Sequence, residues 1–153
     1  MDYGLKELRR FLPEADVLIP EVSKWSVGMH IHHSCLAMLG ICQPLVGSTP
    51  PVPRSGFSLL TSLVFLSGRI PRGRGKSPEQ AIPRKGISGV DLQMTLDESE
   101  RWLENARQVS PEHWYRHFAF GVLDRDRTLK FIGIHTRHHL RIIQDIQRGV
   151  LTP

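Results

Sequence analysis

Eight histidines are present, and six of them fall in two short segments: His30, His32 and His33 near one end, His135, His138 and His139 near the other. His135 and His139 are related as i and i+4. On an α-helix that spacing sends both side chains off one face with Cβ atoms about 6 Å apart, close enough to chelate one ion. Zinc or a similar divalent ion accepts imidazole nitrogen at about 2.0 to 2.1 Å. A lone His-x-x-x-His most often lies on a wet helix face. Here the pair continues a stripe of Ile132, Ile142, Ile143 and Ile146. If the stripe packs inward, both rings enter the core, where unmet imidazoles are costly and a metal satisfies both.

In the earlier segment, neighbouring helical residues differ by about 100° around the axis. His30 and His33 share a face with Ala37, while His32 looks toward Gly28 and Met29. Either His30 or His33 can therefore reach the bundle centre, and periodicity does not choose between them. A competing i, i+4 pair, His113 and His117, follows Pro111 on a short element without a long apolar stripe and reads as mainly structural. His117 is also a candidate for pocket lining, because the segment from His117 through Phe118, Phe120 and Gly121 leads into the last helix and can fold over a metal.

The elements that must position these residues are helical. Leu5, Leu8 and Leu12 predict a short first helix over 2–12, with Asp2 as N-cap and Pro13 as its limit. After Pro20, Ser23 or Ser26 caps a second helix to about Gln43, striped by Val27, Ile31, Cys35, Met38 and Cys42, with Pro44 as its stop. Residues 44–90 are rich in Pro, Gly and Ser and read as an irregular crossover, interrupted by the apolar run Phe57 to Leu66, which suits a short extra helix over the core. Leu92, Leu96, Leu103 and Ala106 mark a third long helix at about 90–108; Asp91, Asp97, Glu98 and Glu100 read as its solvated face. Ser110-Pro111-Glu112 is a helix-start signal that places Trp114 and His117 on a short turn or helix ended by Gly121. Asp124 or Asp126 then caps a final helix through Arg148, with Gly149 as its stop. No strand pattern competes, so the expectation is one all-α domain over 1–153.

A chain of 153 residues buries roughly two thirds of its unfolded surface and needs no staple. Its 40% hydrophobic and 23% charged content is that of an ordinary globular protein. No apolar run approaches the roughly 18 residues of a membrane span, and Met-Asp-Tyr-Gly-Leu-Lys lacks the charged-then-apolar order of a secretory signal, so no membrane and a cytoplasmic address are expected. Cys35 and Cys42 stand about 10 Å apart on one helix, too far for a mutual disulfide, and read as reduced core thiols. The net charge of +5 gathers at Arg69, Arg72, Arg74, Lys76, Arg84 and Lys85, among glycines and prolines that mark a loop and not a basic helix face. Phe65 is the one aromatic close by, so base-stacking platforms are missing and nucleic acid is disfavoured. Trp102 and Trp114 suit either a core or an interface, which leaves a homodimer open.

Two segments carry a resemblance to a known family: Lys24-Trp25-Ser26-Val27, with His33 eight residues after the tryptophan, and His135-Thr136-Arg137-His138-His139 on the last helix. Together they resemble the DinB-like (DinB/YfiT) superfamily of metal-binding four-helix bundles, which includes bacterial thiol-dependent transferases. The resemblance covers most of the chain. Phe120-Gly121-Val122-Leu123 is similar to a turn in an uncharacterised, domain-of-unknown-function branch. The resemblance implies a four-helix bundle with a long crossover between its second and third helices. It also implies His33, His135 and His139 as ligands of one divalent metal ion (zinc, nickel or similar), with His138 as a neighbour and His30 beside the site or structural. His30, His117 and His138 are thus the candidates for pocket lining. Relatives often carry glutamine three residues after the last ligand; Ile142 stands there in this chain, with Gln144 two further on.

Three neutral imidazoles leave one coordination position open, the arrangement of a catalytic zinc site. Such a site lowers the pKa of bound water for hydrolysis or holds a thiol as thiolate. The expected function is a metal-dependent transferase or hydrolase acting on a small molecule, by resemblance a low-molecular-weight thiol, with no catalytic base assigned. The alternative is a non-catalytic, metal-stabilised bundle that binds a protein or nucleic-acid partner through its basic loop.

Overall fold

The computed structural model describes residues 3–53, 59–73 and 77–151. In chain order these form α1 (Leu5–Arg10), a 3₁₀ turn (Leu12–Glu14), α2 (Val27–Val46), α3 (Leu59–Ser67), a second 3₁₀ turn (Glu79–Ala81), α4 (Gly89–Gln108), β1 (Trp114–His117), β2 (Gly121–Asp124) and α5 (Arg125–Leu151). Asp2, Phe57, Arg74 and Lys76, to which the sequence reading gave roles, lie outside the described residues.

Three long helices carry the core. α2 packs most extensively on α4, and α5 packs against both. Ile31, Cys35, Met38 and Leu45 of α2 meet Leu92, Leu96 and Leu103 of α4 and Ile132, Ile143 and Ile146 of α5, all buried. The short α1 adds Leu5 and Leu8 to this core, and Arg9 reaches α4 to pair with Asp97 at 2.7 Å and Glu100 at 2.6 Å. Both cysteines are free and buried, and burial pushes each thiol up to about 12, so neither supplies a thiolate at neutral pH. No helix among the described residues is long and apolar enough to cross a membrane.

Local chemistry fixes where α2 begins, and therefore where its histidines point. The Ser26 hydroxyl accepts the Met29 N–H at 3.3 Å, while the carbonyls of Ala15 and Val17 accept the N–H groups of Gly28 and Val27 at 2.8 and 2.9 Å. The first-turn donors, which no helix can satisfy internally, are thus taken up by the preceding segment. That segment comes so near that a Cβ at Gly28 would stand 2.9 Å from the Ala15 carbonyl oxygen.

Three expectations change. Pro44 lies inside α2 and does not end it: proline removes one donor near the last turn, while fully buried Leu45 and the Gly47 N–H bond to the Gln43 carbonyl hold the chain helical beyond it. Gly149 likewise lies within α5, where a Cβ would meet Ile19 at 3.2 Å, so this glycine admits a packing neighbour and is no stop signal. The segment after Pro111 is not helical. It is an antiparallel hairpin pairing Trp114 with Asp124 and His117 with Gly121, whose φ of 72° suits glycine at the start of β2. The fold is mostly helical, in keeping with the all-α expectation, with one small two-stranded sheet that the sequence reading did not contain. The apolar run in the crossover does form a helix, α3, but it buries only Thr61 and Val64 and exposes Leu59, Leu63 and Leu66.

Replacing Gly28 by Ala forces the Ala15 carbonyl away from the start of α2. Chemical denaturation of Gly28→Ala should show a loss of about 1 to 3 kcal/mol of stability; unchanged stability would contradict this close seat.

Candidate metal centre

α2 and α5 bring together the two histidine segments. One nitrogen from each of His33, His135 and His139 lies within 4.8 Å of the others. His33 and His139 are buried and His135 is half-buried. The ring centroids are 4.6 Å apart for His33 and His139, 4.7 Å for His135 and His139, and 5.1 Å for His33 and His135. The closest nitrogens give a test of fit. His33 Nε2 and His135 Nε2 are 3.3 Å apart, and two nitrogens on one tetrahedral ion at the usual bond length stand about 3.3 to 3.4 Å from each other. The set suits a divalent ion with small rearrangement.

Hydrogen bonds outside the cluster orient the rings. His33 Nδ1 lies 2.6 Å from the Ala81 carbonyl oxygen, which can only accept, so this nitrogen carries the proton and Nε2 keeps its lone pair for an ion. On the other side His30 Nδ1 faces His139 Nδ1 at 3.0 Å, and His30 Nε2 faces the Ser23 hydroxyl at 2.9 Å. Two neutral rings can share the first contact only if one donates. For His139 to offer a bare Nε2 to an ion, its Nδ1–H must donate to His30, whose Nε2–H then donates to Ser23. A chain Ser23–His30–His139 thereby sets the tautomer of one ligand. Trp25 covers this chain, with its ring stacked on His139 at 19° and tilted against His30 and His33.

Burial keeps these rings neutral. Desolvation lowers His30 to about 3 and His33 below the usual imidazole range. His135 and His139 fall well below it, through desolvation first and then the proximity of the other histidines. Neutral imidazole is the ligand form, so the cluster does not have to release protons to take up a metal at neutral pH.

The cluster opens onto a cavity of about 960 Å³. Trp25, Leu36, Val64, Phe118, Phe131 and Ile142 supply apolar walls, and Lys24 is a charged residue on the lining. No aspartate or glutamate is among the described lining residues. His30, His117 and His138 all line it, as the sequence reading allowed. His117 has a structural task too: its Nδ1 accepts the N–H groups of Ala119 and Phe120 at 3.1 and 3.3 Å, closing the hairpin turn, and burial lowers its pKa to about 4. Its helical partner in the sequence reading, His113, is instead tied to Ser110 at 3.1 Å outside the site. His32 is buried but turned away, accepting the Arg84 N–H at 3.1 Å. Ile142 is buried on the cavity wall and Gln144 is exposed, so no glutamine occupies the place that the resemblance suggests.

Ser23 and Ala81 were not visible as site residues in the sequence. Ser23 could be read only as a helix cap, and a backbone acceptor 48 residues from His33 carries no signal of residue type. No family model matches the chain, and no curated protein or solved structure matches it significantly.

Because His30 bonds His139 from outside the three-histidine set, His30→Leu should weaken zinc binding by roughly 10- to 100-fold while the helical circular dichroism is kept. Ser23→Ala should weaken it less. Competition titration with a chromophoric chelator reads both, and wild-type affinity in His30→Leu would remove the chain from the site.

Proposed function

We propose that this protein is a metal-dependent enzyme of the DinB-like superfamily, with a divalent ion held by His33, His135 and His139 and a low-molecular-weight thiol as its small-molecule substrate. The observation that carries this reading is the convergence of three neutral imidazoles on a large apolar cavity with no acidic residue among its described lining residues. An ion held by His33, His135 and His139 would supply Lewis acidity that favours the thiolate form of a thiol over the thiol.

The chain's own residues do the rest. His33 and His139 are held by Ala81 and His30, so their lone pairs are aimed before any ligand arrives. Trp25, Phe118 and Phe131 line the cavity and offer aromatic faces to an electrophile's apolar body. The missing carboxylates separate transfer from hydrolysis. Metallohydrolases built on His-Glu-x-x-His place a carboxylate beside their water as general base, and none of the described lining residues of this cavity is acidic. A thiol needs no such base once its pKa is lowered, so group transfer to an electrophile is the favoured reaction and hydrolysis the second choice.

Elemental analysis of untagged protein should find about one ion per chain in wild type and a loss of it in His33→Ala and His139→Ala; retention in both variants would sink the site. Adding mercaptoethanol to the cobalt-substituted protein should shift its visible absorption as a sulfur enters the open position. An unchanged spectrum with cobalt still bound would leave the thiol reading without support.

A further inference from the structure

Beside the metal cavity lies a second recess of about 270 Å³, lined by Arg69, Ile70, Arg72, His138 and Arg141. Ile70 and His138 line both spaces, so the recess adjoins the cavity that holds the histidine cluster. Arg69, Ile70 and Arg72 of the crossover and His138 and Arg141 of α5 line it together, which sets Arg69 and Arg72 beside Arg141. The acid at this place is Asp145, and it is already shared between Arg72 at 2.6 Å and Arg148 at 3.0 Å. Arg69 and Arg141 have no acidic partner among the described residues. Four guanidinium groups therefore stand against one carboxylate, and the field reaches the cluster, where Arg72 opposes protonation of His30 and both Arg72 and Arg141 oppose that of His138.

A solvated basic face would be the ordinary account of exposed arginines. Three features separate this one from it: it is concave, it adjoins the cavity that holds the histidine cluster, and the described lining residues of that cavity include no acid to balance it. Guanidinium groups grip carboxylate and phosphate through paired N–H donors. We propose that Arg69 and Arg141 form the subsite for an anionic group, carboxylate or phosphate, carried by the same small molecule whose thiol reaches the three-histidine site. The inference rests on the reading of that cluster as an open metal site. It adds the class of substrate: a thiol with an anionic tail, bridging ion and recess.

The test compares mercaptoethanol with mercaptoacetate, mercaptopropionate and mercaptohexanoate on the cobalt-substituted full chain, by the change in visible absorption. In wild type, at least one mercapto acid should bind about tenfold more tightly than mercaptoethanol, the equivalent of one good charge pair, and the advantage should shrink with added salt. The double variant Arg69→Gln, Arg141→Gln should lose the advantage and keep its affinity for mercaptoethanol and for cobalt. Asp145→Asn, which raises the local positive charge, should increase it. An anion advantage that survives in the double variant, or is absent in wild type, overturns the subsite.

If mercaptoethanol and the acids alike leave the spectrum unchanged, the thiol reading of the metal site fails, and the recess is then judged by calorimetric titration of metal-free protein with citrate and with inorganic phosphate. Binding that the double variant loses upholds the anion site; no heat in wild type overturns it. Arg-dependent binding of a short single-stranded oligonucleotide, with no response to any small anion, also overturns the proposal in favour of a nucleic-acid surface.

Discussion

An imidazole ring carried from water into an apolar bundle loses its hydration, so it stays neutral and needs a partner at its ring nitrogens. His30, His33 and His139 are exposed by only 2%, 4% and 6%, and their surroundings answer this demand. The Ala81 carbonyl receives one proton of His33; His30 and Ser23 share the protons of the other side. To place that acceptor, the crossover must return across α2 through the 3₁₀ turn at Glu79–Ala81. To aim the rings, α2 must start where Ser26, Ala15 and Val17 satisfy its first turn, with Gly28 admitting the close approach. Much of the irregular part of the chain is thus accounted for by the needs of a few buried rings.

The same burial shapes the chemistry. With its histidines neutral and with acidic residues missing from its described lining, the cavity contributes no negative charge toward a divalent ion. Arg72, beside the cavity, adds to a positive field. Such a field favours ligands that arrive as anions or become anions on binding, and thiols do the latter. Cys35 and Cys42 take no part, since burial keeps both thiols protonated.

Periodicity made the inward pair His135 and His139 legible, because isoleucines at helical spacing flank it on both sides. It could not choose between His30 and His33. The structure shows why: both are buried next to the cluster, and they differ in their partners, one a backbone carbonyl from the crossover and the other a serine hydroxyl. Tertiary contacts of that kind leave no mark in a local pattern. Pro44 and Gly149 misled for a related reason, since punctuation signals act locally and are overruled where packing favours another turn of helix, as buried Leu45 and close-packed Ile19 do here. The hairpin escaped notice because four-residue strands are too short to establish alternation, and Pro111 gave a competing helix signal.

X-ray absorption spectroscopy of the zinc-loaded protein tests the central claim most directly. The account predicts a first shell of nitrogen and oxygen at about 2.0 to 2.1 Å, with outer-shell scattering from three imidazoles and one non-protein ligand completing the sphere. A spectrum with fewer than three imidazoles, or with protein sulfur at about 2.3 Å, would contradict it.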